Sequence, residues 1–342
     1  MKTAYFYLTP AAEELARRLA AAHPGDLYGK EDFKNKMKDA FGRYDNLVCI
    51  MATGIVVRIL APLIFHKTSD PAVVVMDQKG DYAISLLSGH LGGANDLARE
   101  MAEICGGQPV ITTGTDVAGK ISFDSFAKKN DLGIQNIGQL RFISGNILED
   151  RKVIVYTNYE YPEITKADYL TCLPVPEDPA KGPEAPAVVI DEGFTFSPKP
   201  DQPVLYLRPR TICAGIGCKK NREAQPIEEA LRQTLKEEGL SPLSLKCIAT
   251  IPLKAEEPGI IETANRMGVP MKIIPTEEIE ALDIASMGIA TSDFVASKTG
   301  VLSVSTASAY LASGKGQILR DKAKYQGITV ALAKSSSGQE PG

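Results

Sequence analysis

Short apolar runs alternate along the chain with longer stretches in which apolar side chains return once per helical turn, the pattern of interleaved strands and helices. Residues 3–8 read as a strand. Thr9 can cap a helix that carries Pro10 in its first turn and runs to residue 22. A second helix is expected over 31–41. Residues 47–52 form an apolar run between Asn46 and Gly54, suited to a buried parallel strand. A short helix over 55–60 follows. Residues 73–76 and 82–86 flank Asp77-Gln78-Lys79-Gly80 and read as a hairpin. Residues 94–105 are helical, stopped by Gly106 and Gly107, and 109–112 form a further strand.

The rhythm changes after residue 130. Helix signals fade, and strands are expected at 152–157 and 187–190. Residues 173–186 hold five of the 22 prolines, which excludes a helix or a central strand there and predicts a long exposed loop. From residue 204 the alternation returns. A strand leads into Gly215-Ile216-Gly217, Pro226 opens a helix that ends near Gly239, and 245–250 is a strand. A helix over 258–268, a strand at 270–274, a short helix from Thr276, a helix over 303–312 and strands at 318–320 and 328–333 complete the pattern. The predicted fold is α/β: two α/β/α-layered domains with mainly parallel sheets, joined by a small β-rich middle segment. The expected divisions are 1–130, 131–204 and 205–334, with 335–342 a disordered tail.

Composition narrows the class. At 342 residues, with 44% hydrophobic and 23% charged residues, the chain has the make-up of a globular protein of two or three domains. A net charge of −4 argues against a general nucleic-acid binder and leaves room for local basic pockets. Six irregularly spaced cysteines do not make a disulfide scaffold, so reduced thiols in a cytoplasm are expected. The apolar run at residues 4–8 is too short for a signal peptide, and the best membrane candidate, 54–65, is broken by Arg58 and Pro62.

The richest chemistry lies in Leu86-Leu87-Ser88-Gly89-His90-Leu91-Gly92-Gly93-Ala94-Asn95-Asp96. The run leaves a strand, passes three glycines and enters a helix. Glycines allow positive φ and close ligand approach, and a helix start favours an anion. His90 is the one histidine in such a setting, and an imidazole titrating near ~6.5 suits acid–base work. The competing reading is a tight turn capped by Asn95 or Asp96. A second cluster, 54–58, offers Gly54 and Arg58 as a carboxylate site, or a helix start with a solvated arginine. His66-Lys67-Thr68-Ser69-Asp70-Pro71 is a polar loop in which Lys67 and Asp70 either bind a ligand or pair with each other. Thr112-Thr113-Gly114-Thr115-Asp116 follows a strand, where α/β sheets bind ligands, although a plain turn explains it equally.

Gly215-x-Gly217 lacks the third glycine and the timely helix of a dinucleotide fingerprint. Lys219, Lys220 and Arg222 beside it suggest an anionic ligand or a solvated loop. Cys213 and Cys218 do not have zinc-site spacing, and no protein metal site is expected. His23, before Pro24, reads as structural.

In order, Gly54-Ile55-Val56-Val57-Arg58, residues 67–75, residues 86–95 and Val110-Ile111-Thr112-Thr113 resemble the amino-terminal domain of the cobalamin biosynthesis protein CbiG family, known as cobalt-precorrin-5A hydrolase. Gly215-Ile216-Gly217-Cys218, Ile248-Ala249-Thr250, Lys254 and residues 327–333 resemble its carboxy-terminal domain. The Ser-Gly-His-Leu-Gly-Gly-Ala-Asn run is the most specific part. The chain departs from the family at Thr306, which stands where the last helix of the family carries an acidic residue.

The resemblance implies an enzyme of the anaerobic route to vitamin B12. The family's reaction opens a ring-A δ-lactone on a cobalt corrinoid and releases the C20 two-carbon unit as acetaldehyde, giving cobalt-precorrin-5B. The substrate is a disc ringed by carboxylates that brings its own cobalt, so no cofactor is expected. His90 and Ser88 are the expected catalytic residues, with His90 as base and later acid and Ser88 as a positioning donor. Gly54, Arg58, Lys67, Asp70, Gly92, Gly93, Asn95, Thr113, Gly215, Gly217, Lys219 and Lys220 are the expected substrate contacts. The expected partner is the small-molecule corrinoid, with no nucleic acid and no membrane; neighbouring enzymes of the pathway and a homodimer are compatible with the reading. Two rivals stand beside it: a non-catalytic corrinoid carrier, and a serine esterase using Ser88, which lacks the Gly-x-Ser-x-Gly elbow because Leu86 and His90 flank the serine.

Overall fold

The computed structural model describes residues 1–66, 69–183, 185–197, 203–282 and 304–335. The chain folds as two compact units, Met1–Lys128 and Lys129–Gly342.

The first unit runs β1 (Thr3–Tyr7), α1 (Pro10–Ala22), β2 (Asp26–Tyr28), α2 (Phe33–Phe41), β3 (Asn46–Ile50), α3 (Thr53–Leu60), β4 (Ala72–Met76), β5 (Tyr82–Leu87), α4 (Ala94–Cys105), β6 (Gln108–Val110), α5 (Gly114–Val117) and α6 (Phe123–Lys129). Its sheet has the order β2-β1-β3-β4-β5-β6. β1 to β4 are mutually parallel, β5 returns antiparallel to β4, and β6 runs with β5. Side chains alternate across the sheet as the pleat demands. Tyr5, Val48, Val74 and Met76 face α1 and α4, whereas Ala4, Phe6, Leu47, Val73 and Val75 face α2 and α3. Both faces are therefore apolar, which is why β3 and β4 read as continuous apolar runs rather than as alternating ones. Thr9 accepts a hydrogen bond from the Ala12 amide and starts α1 as its sequence predicts. Gly106, at φ 69°, ends α4.

The second unit contains two sheets. The middle segment supplies β7 (Leu132–Ile134), α7 (Leu140–Leu148), β8 (Val153–Thr157), α8 (Pro162–Thr165), β9 (Leu170–Leu173), β10 (Ala187–Ile190) and β11 (Val204–Pro209), with sheet order β7-β11-β10-β8-β9. Helix α7 is an element that the sequence reading missed. The remainder is β12 (Ile212–Cys218), α9 (Ala224–Glu237), β13 (Leu245–Thr250), α10 (Pro258–Met267), β14 (Met271–Ile273), α11 (Thr276–Glu280), α12 (Val304–Ala312), β15 (Gln317–Tyr325) and β16 (Ile328–Lys334), with sheet order β14-β13-β12-β16-β15.

These two sheets are locked together. Glu192, in the loop after β10, is buried and accepts hydrogen bonds from Thr211 at 2.7 Å, from Lys334 at 2.8 Å and from Tyr159. Burial pushes the pKa of that carboxyl up, but Lys334, Tyr159 and Thr211 outweigh it and hold the group below its ordinary range. On the carboxy-terminal sheet, Ile212, Ala214 and Ile216 face α9 and α10, while Cys213, Ala331 and Ala333 sit on the α12 side.

Gly215 and Gly217 lie inside β12 rather than in a turn after it, which corrects the sequence expectation. The reason is helix contact. A Cβ on Gly215 would stand 1.8 Å from the Ser305 carbonyl oxygen, so α12 rests directly on the strand backbone at this residue. The Ser305-Thr306-Ala307-Ser308-Ala309 stretch is fully buried because only small side chains allow so close an approach. No helix among the described residues is long and apolar enough to cross a membrane.

Candidate active site

Strand β5 ends where β4 begins, since Leu87 pairs with Val73. Ser88 follows at φ 58°, a left-handed conformation that costs a non-glycine residue about 1 kcal/mol or more. The chain turns through Gly89, His90 and Leu91 and enters α4 after Gly93, at φ 93°. Gly92 is obligatory here: a Cβ would lie 2.4 Å from the Ser88 Cβ. The Ala94 amide donates to Ser88 O at 3.1 Å and the Asn95 amide to Gly89 O at 2.9 Å. The turn thus consumes two of the first amides of α4. Among the described residues no hydrogen bond engages the Gly92 or Gly93 amide, while Lys128 Nζ donates to Gly92 O at 3.2 Å.

His90 is held between two carboxylates. Its Nε2 lies 2.6 Å from Asp116 Oδ2 and its Nδ1 lies 3.4 Å from Asp124 Oδ1, with the side chain 18% exposed. Both ring nitrogens therefore face acceptors, which calls for a proton on each. The pKa of the ring is raised above the ordinary imidazole value, chiefly by the contact with Asp124 and further by Asp116, against the opposing effect of burial. Asp116 is ringed by donors: Arg99 Nη2 at 2.6 Å, Thr113 Oγ1 at 2.7 Å and Asn95 Nδ2 at 3.1 Å. Burial works against its ionisation, but Thr113, Arg99 and His90 outweigh it and hold the carboxyl at about 2. Asp124 is also kept below its usual range: burial opposes ionisation, and hydrogen bonds from His90 and Ser122 prevail. The site is an imidazole set between two carboxylates, which favour its protonated form.

The topology brings together Ser88, His90, Gly92, Gly93, Asn95 and Thr113 at one edge of the sheet. Asn95 is buried, accepting from Ser85 Oγ at 2.7 Å and donating to Thr113 Oγ1 and Asp116. Thr113 likewise points its hydroxyl at Asp116. Asn95 and Thr113 thus brace the Asp116 carboxylate. Asp70, just before β4, is at the same edge, where it accepts from the Phe65 amide. Lys67 lies outside the described residues, as do positions 336–342 of the expected tail.

Gly54 and Arg58 sit elsewhere. They follow β3, whose carboxyl end pairs with the carboxyl end of β4, the edge opposite to that of His90. Arg58 Nη1 donates to Gly54 O at 2.9 Å. Beside them an apolar cavity of about 500 Å³ opens among Leu8, Ile50, Ile55, Val75, Ile84 and Val110. In the second unit Gly215 is buried under α12, Gly217 faces Thr329, and Lys219 and Lys220 are exposed. Thr306 donates to Asp321 Oδ1 at 2.6 Å, so β15 brings a carboxylate to the place where the helix lacks one. His23 bridges Thr3 and Glu100 and is structural.

Sequence reasoning found His90 but missed Asp124, Arg99 and Lys128, and it saw Asp116 only as part of a turn. One local signal existed: Thr113 and Asp116 stand three apart just after a strand, the spacing at which a hydroxyl and a carboxylate meet across one turn. Nothing local points to Asp124, which reaches His90 only through the packing of α6.

Comparison with known proteins follows the same residues. Residues 35–116 match the family described as "Cobalamin synthesis G N-terminal", and residues 212–333 match "Cobalamin synthesis G C-terminus". The chain belongs to the cobalamin synthesis G family. A Salmonella typhimurium protein named "Cobalt-precorrin-5A hydrolase" is 36% identical over 343 residues, covering 96% of each chain. A Priestia megaterium protein of the same name is 33% identical over 86% of this chain and 79% of its own. A crystal structure titled as a cobalamin biosynthesis protein G homolog from Sulfolobus solfataricus aligns over 98% of this chain and 97% of its own, at 23% identity and a TM-score of 0.40. The membership agrees with the resemblance carried by the Ser-Gly-His-Leu-Gly-Gly-Ala-Asn run, and this family's fold is built here from mostly parallel sheets interleaved with helices.

Proposed function

We propose that this member of the cobalamin synthesis G family is a cobalt-precorrin-5A hydrolase. It opens the ring-A lactone of a cobalt corrinoid and releases the C20 two-carbon unit as acetaldehyde, in the anaerobic synthesis of vitamin B12. The observation that carries the reading is the 36% identity with a hydrolase of that name across 96% of both chains. The cobalt enters with the substrate, and the chemistry takes place in the cytoplasm.

The His90 site fits the demands of the reaction. Water adds to the lactone carbonyl and the acyl–oxygen bond breaks, so the departing C20 oxygen must receive a proton. A doubly braced imidazolium suits that donation better than it suits the removal of a proton from water. His90 is therefore the acid, with Asp124 and Asp116 keeping it charged and oriented. The Gly92 and Gly93 amides, outside the hydrogen bonds of the turn, are placed to receive the oxyanion of the tetrahedral intermediate. Collapse of the C20 alcohol then proceeds in retro-aldol fashion: the hydroxyl loses its proton, the carbon–carbon bond that joins C20 to the macrocycle breaks to give acetaldehyde, and its electron pair passes to the macrocycle, which takes up a proton.

The esterase rival gains one point and loses another. Ser88 has the strained φ of a nucleophile on a strand-to-helix turn, but its buried Oγ has no hydrogen-bond partner among the described residues and both nitrogens of His90 are engaged by carboxylates. Among the described residues, no base is hydrogen-bonded to it. Anaerobic incubation with the lactone-bearing cobalt corrinoid tests the reading. The hydrolase yields acetaldehyde and a corrinoid that has gained the elements of water and lost those of acetaldehyde, whereas a carrier returns the corrinoid unchanged.

A further inference from the structure

We propose that the carboxy-terminal sheet carries a carboxylate-binding pocket of its own, built by Lys219, Lys322 and Lys324 at the β15–β16 turn. The inference rests on the corrinoid reading and names where the second unit grips the rim of such a ligand.

The pocket is a cavity of about 430 Å³ lined by these three lysines together with Gly217, Tyr325 and Thr329, and no acidic residue lines it. Its construction follows from strand geometry. Ala323 is buried, so Lys322 and Lys324, its neighbours on either side, both project from the opposite face of β15. The pairing register of β15 with β16 shifts between Arg320 and Ala323, the signature of a bulge, which re-aims the strand at Lys322. Lys219 arrives from the end of β12. Its amide donates to Gly327 O at 2.9 Å, and its side-chain stem lies over Gly327, where a Cβ would stand 3.1 Å from Lys219 Cδ. Gly327, at φ 74°, both makes the turn and leaves room for the lysine.

Several cations of this unit have acidic partners: Arg232 with Glu228, Arg266 with Glu262, Arg320 with Glu237 and Glu238, Lys254 with Glu257, and Lys334 with Glu192. Among the described residues, no carboxylate pairs with Lys219, Lys322 or Lys324. Three like charges around one hollow repel one another unless an anion joins them. On a chain of net charge −4 this is a local basic hollow. An opening of this size takes the edge of a macrocycle, and several ammonium groups match several peripheral carboxylates.

Uroporphyrin, a tetrapyrrole ringed by eight carboxylates, serves as the probe, its binding followed by Soret absorbance on the full-length protein. Replacing Lys219, Lys322 and Lys324 together by Gln weakens binding by about tenfold or more, as the loss of three exposed ionic contacts implies, and added salt weakens wild-type binding in parallel. The triple Lys→Arg variant retains the affinity and serves as the second variant should the Gln form fold poorly. Equal affinity in the Gln variant, no binding by the wild type, or displacement of the probe by a single-stranded oligonucleotide through the same lysines each overturns the proposal. Acetaldehyde release is measured separately. Wild-type turnover with lysine-independent porphyrin binding sinks the pocket and leaves the hydrolase, whereas lysine-dependent binding without wild-type turnover sinks the hydrolase and leaves the pocket.

Discussion

His90 Nε2 stands 2.6 Å from Asp116 Oδ2, inside a ring of donors that keeps this carboxylate ionised down to about pH 2. With Asp124 on the other nitrogen, the histidine is fixed in position and protonation by groups contributed from α5 and α6. The turn that presents it is in turn fixed by Gly92. The site is rigid by construction, and its chemistry follows from the charge it holds.

Replacing His90 by Ala slows acetaldehyde release by ~10² or more, the usual contribution of a positioned acid. Replacement by Gln, which keeps a donor but no titratable proton, is similarly slow while leaving corrinoid affinity within a few-fold. Single-turnover kinetics with separate binding titrations check both. Turnover unchanged in either variant removes His90 from the reaction.

The pH profile carries a sign. Activity that needs the imidazolium persists above the ordinary histidine pKa of ~6.5 and falls as pH rises through the raised value in the folded protein. Asp124→Asn removes the largest cause of that elevation and shifts the alkaline limb to lower pH. The stability contribution of His90 follows the same direction: it is full below ~6.5 and is lost as pH climbs through the folded-state pKa. Asp116 behaves oppositely. Its contribution is present above ~3.9 and disappears as pH falls towards about 2. Denaturant titrations across pH, on the wild type and on Asp116→Asn, separate the two.

Gly92→Ala forces a Cβ into the Ser88 side chain at 2.4 Å, and Gly215→Ala drives one into the Ser305 carbonyl at 1.8 Å. Each lowers stability by about 1–3 kcal/mol or more, as overpacking does. Only Gly92→Ala also abolishes turnover in protein that remains folded. Thermal melting alongside single-turnover assays at low temperature distinguishes them.

Thr306→Glu places a second carboxylate against Asp321 within a fully buried helix face, and it destabilises the protein. The double variant Thr306→Glu with Asp321→Thr restores the original count of one carboxylate and one hydroxyl, and it recovers most of the loss. Melting temperatures of the two single variants and the double variant give the coupling directly. Additive effects contradict the pairing.

Much of this was legible in the sequence, for reasons that differ from element to element. Helix α4 and the β4–β5 hairpin are marked by local chemistry: a glycine stop at Gly106 and an Asp-Gln-Lys-Gly turn. Helix α7 was not legible, because its sequence, Leu-Arg-Phe-Ile-Ser-Gly-Asn-Ile-Leu, mixes β-branched and glycine residues, and burial of Leu140, Ile143 and Ile147 decides it. His90 was visible from its glycines, yet its acids were not, since Asp124 arrives from a different helix. Residues 54–58 follow β3, and the antiparallel return of β5 carries that cluster and the His90 turn to opposite edges.

The most direct test is a single anaerobic turnover of the lactone-bearing cobalt corrinoid in water enriched in oxygen-18, read by mass spectrometry of the product. Attack of water at the lactone carbonyl predicts one heavy oxygen in the ring-A acetate carboxylate, formed along with acetaldehyde and lost in His90→Gln. An unlabelled product, or labelled product formed at the wild-type rate without the imidazole, contradicts the account.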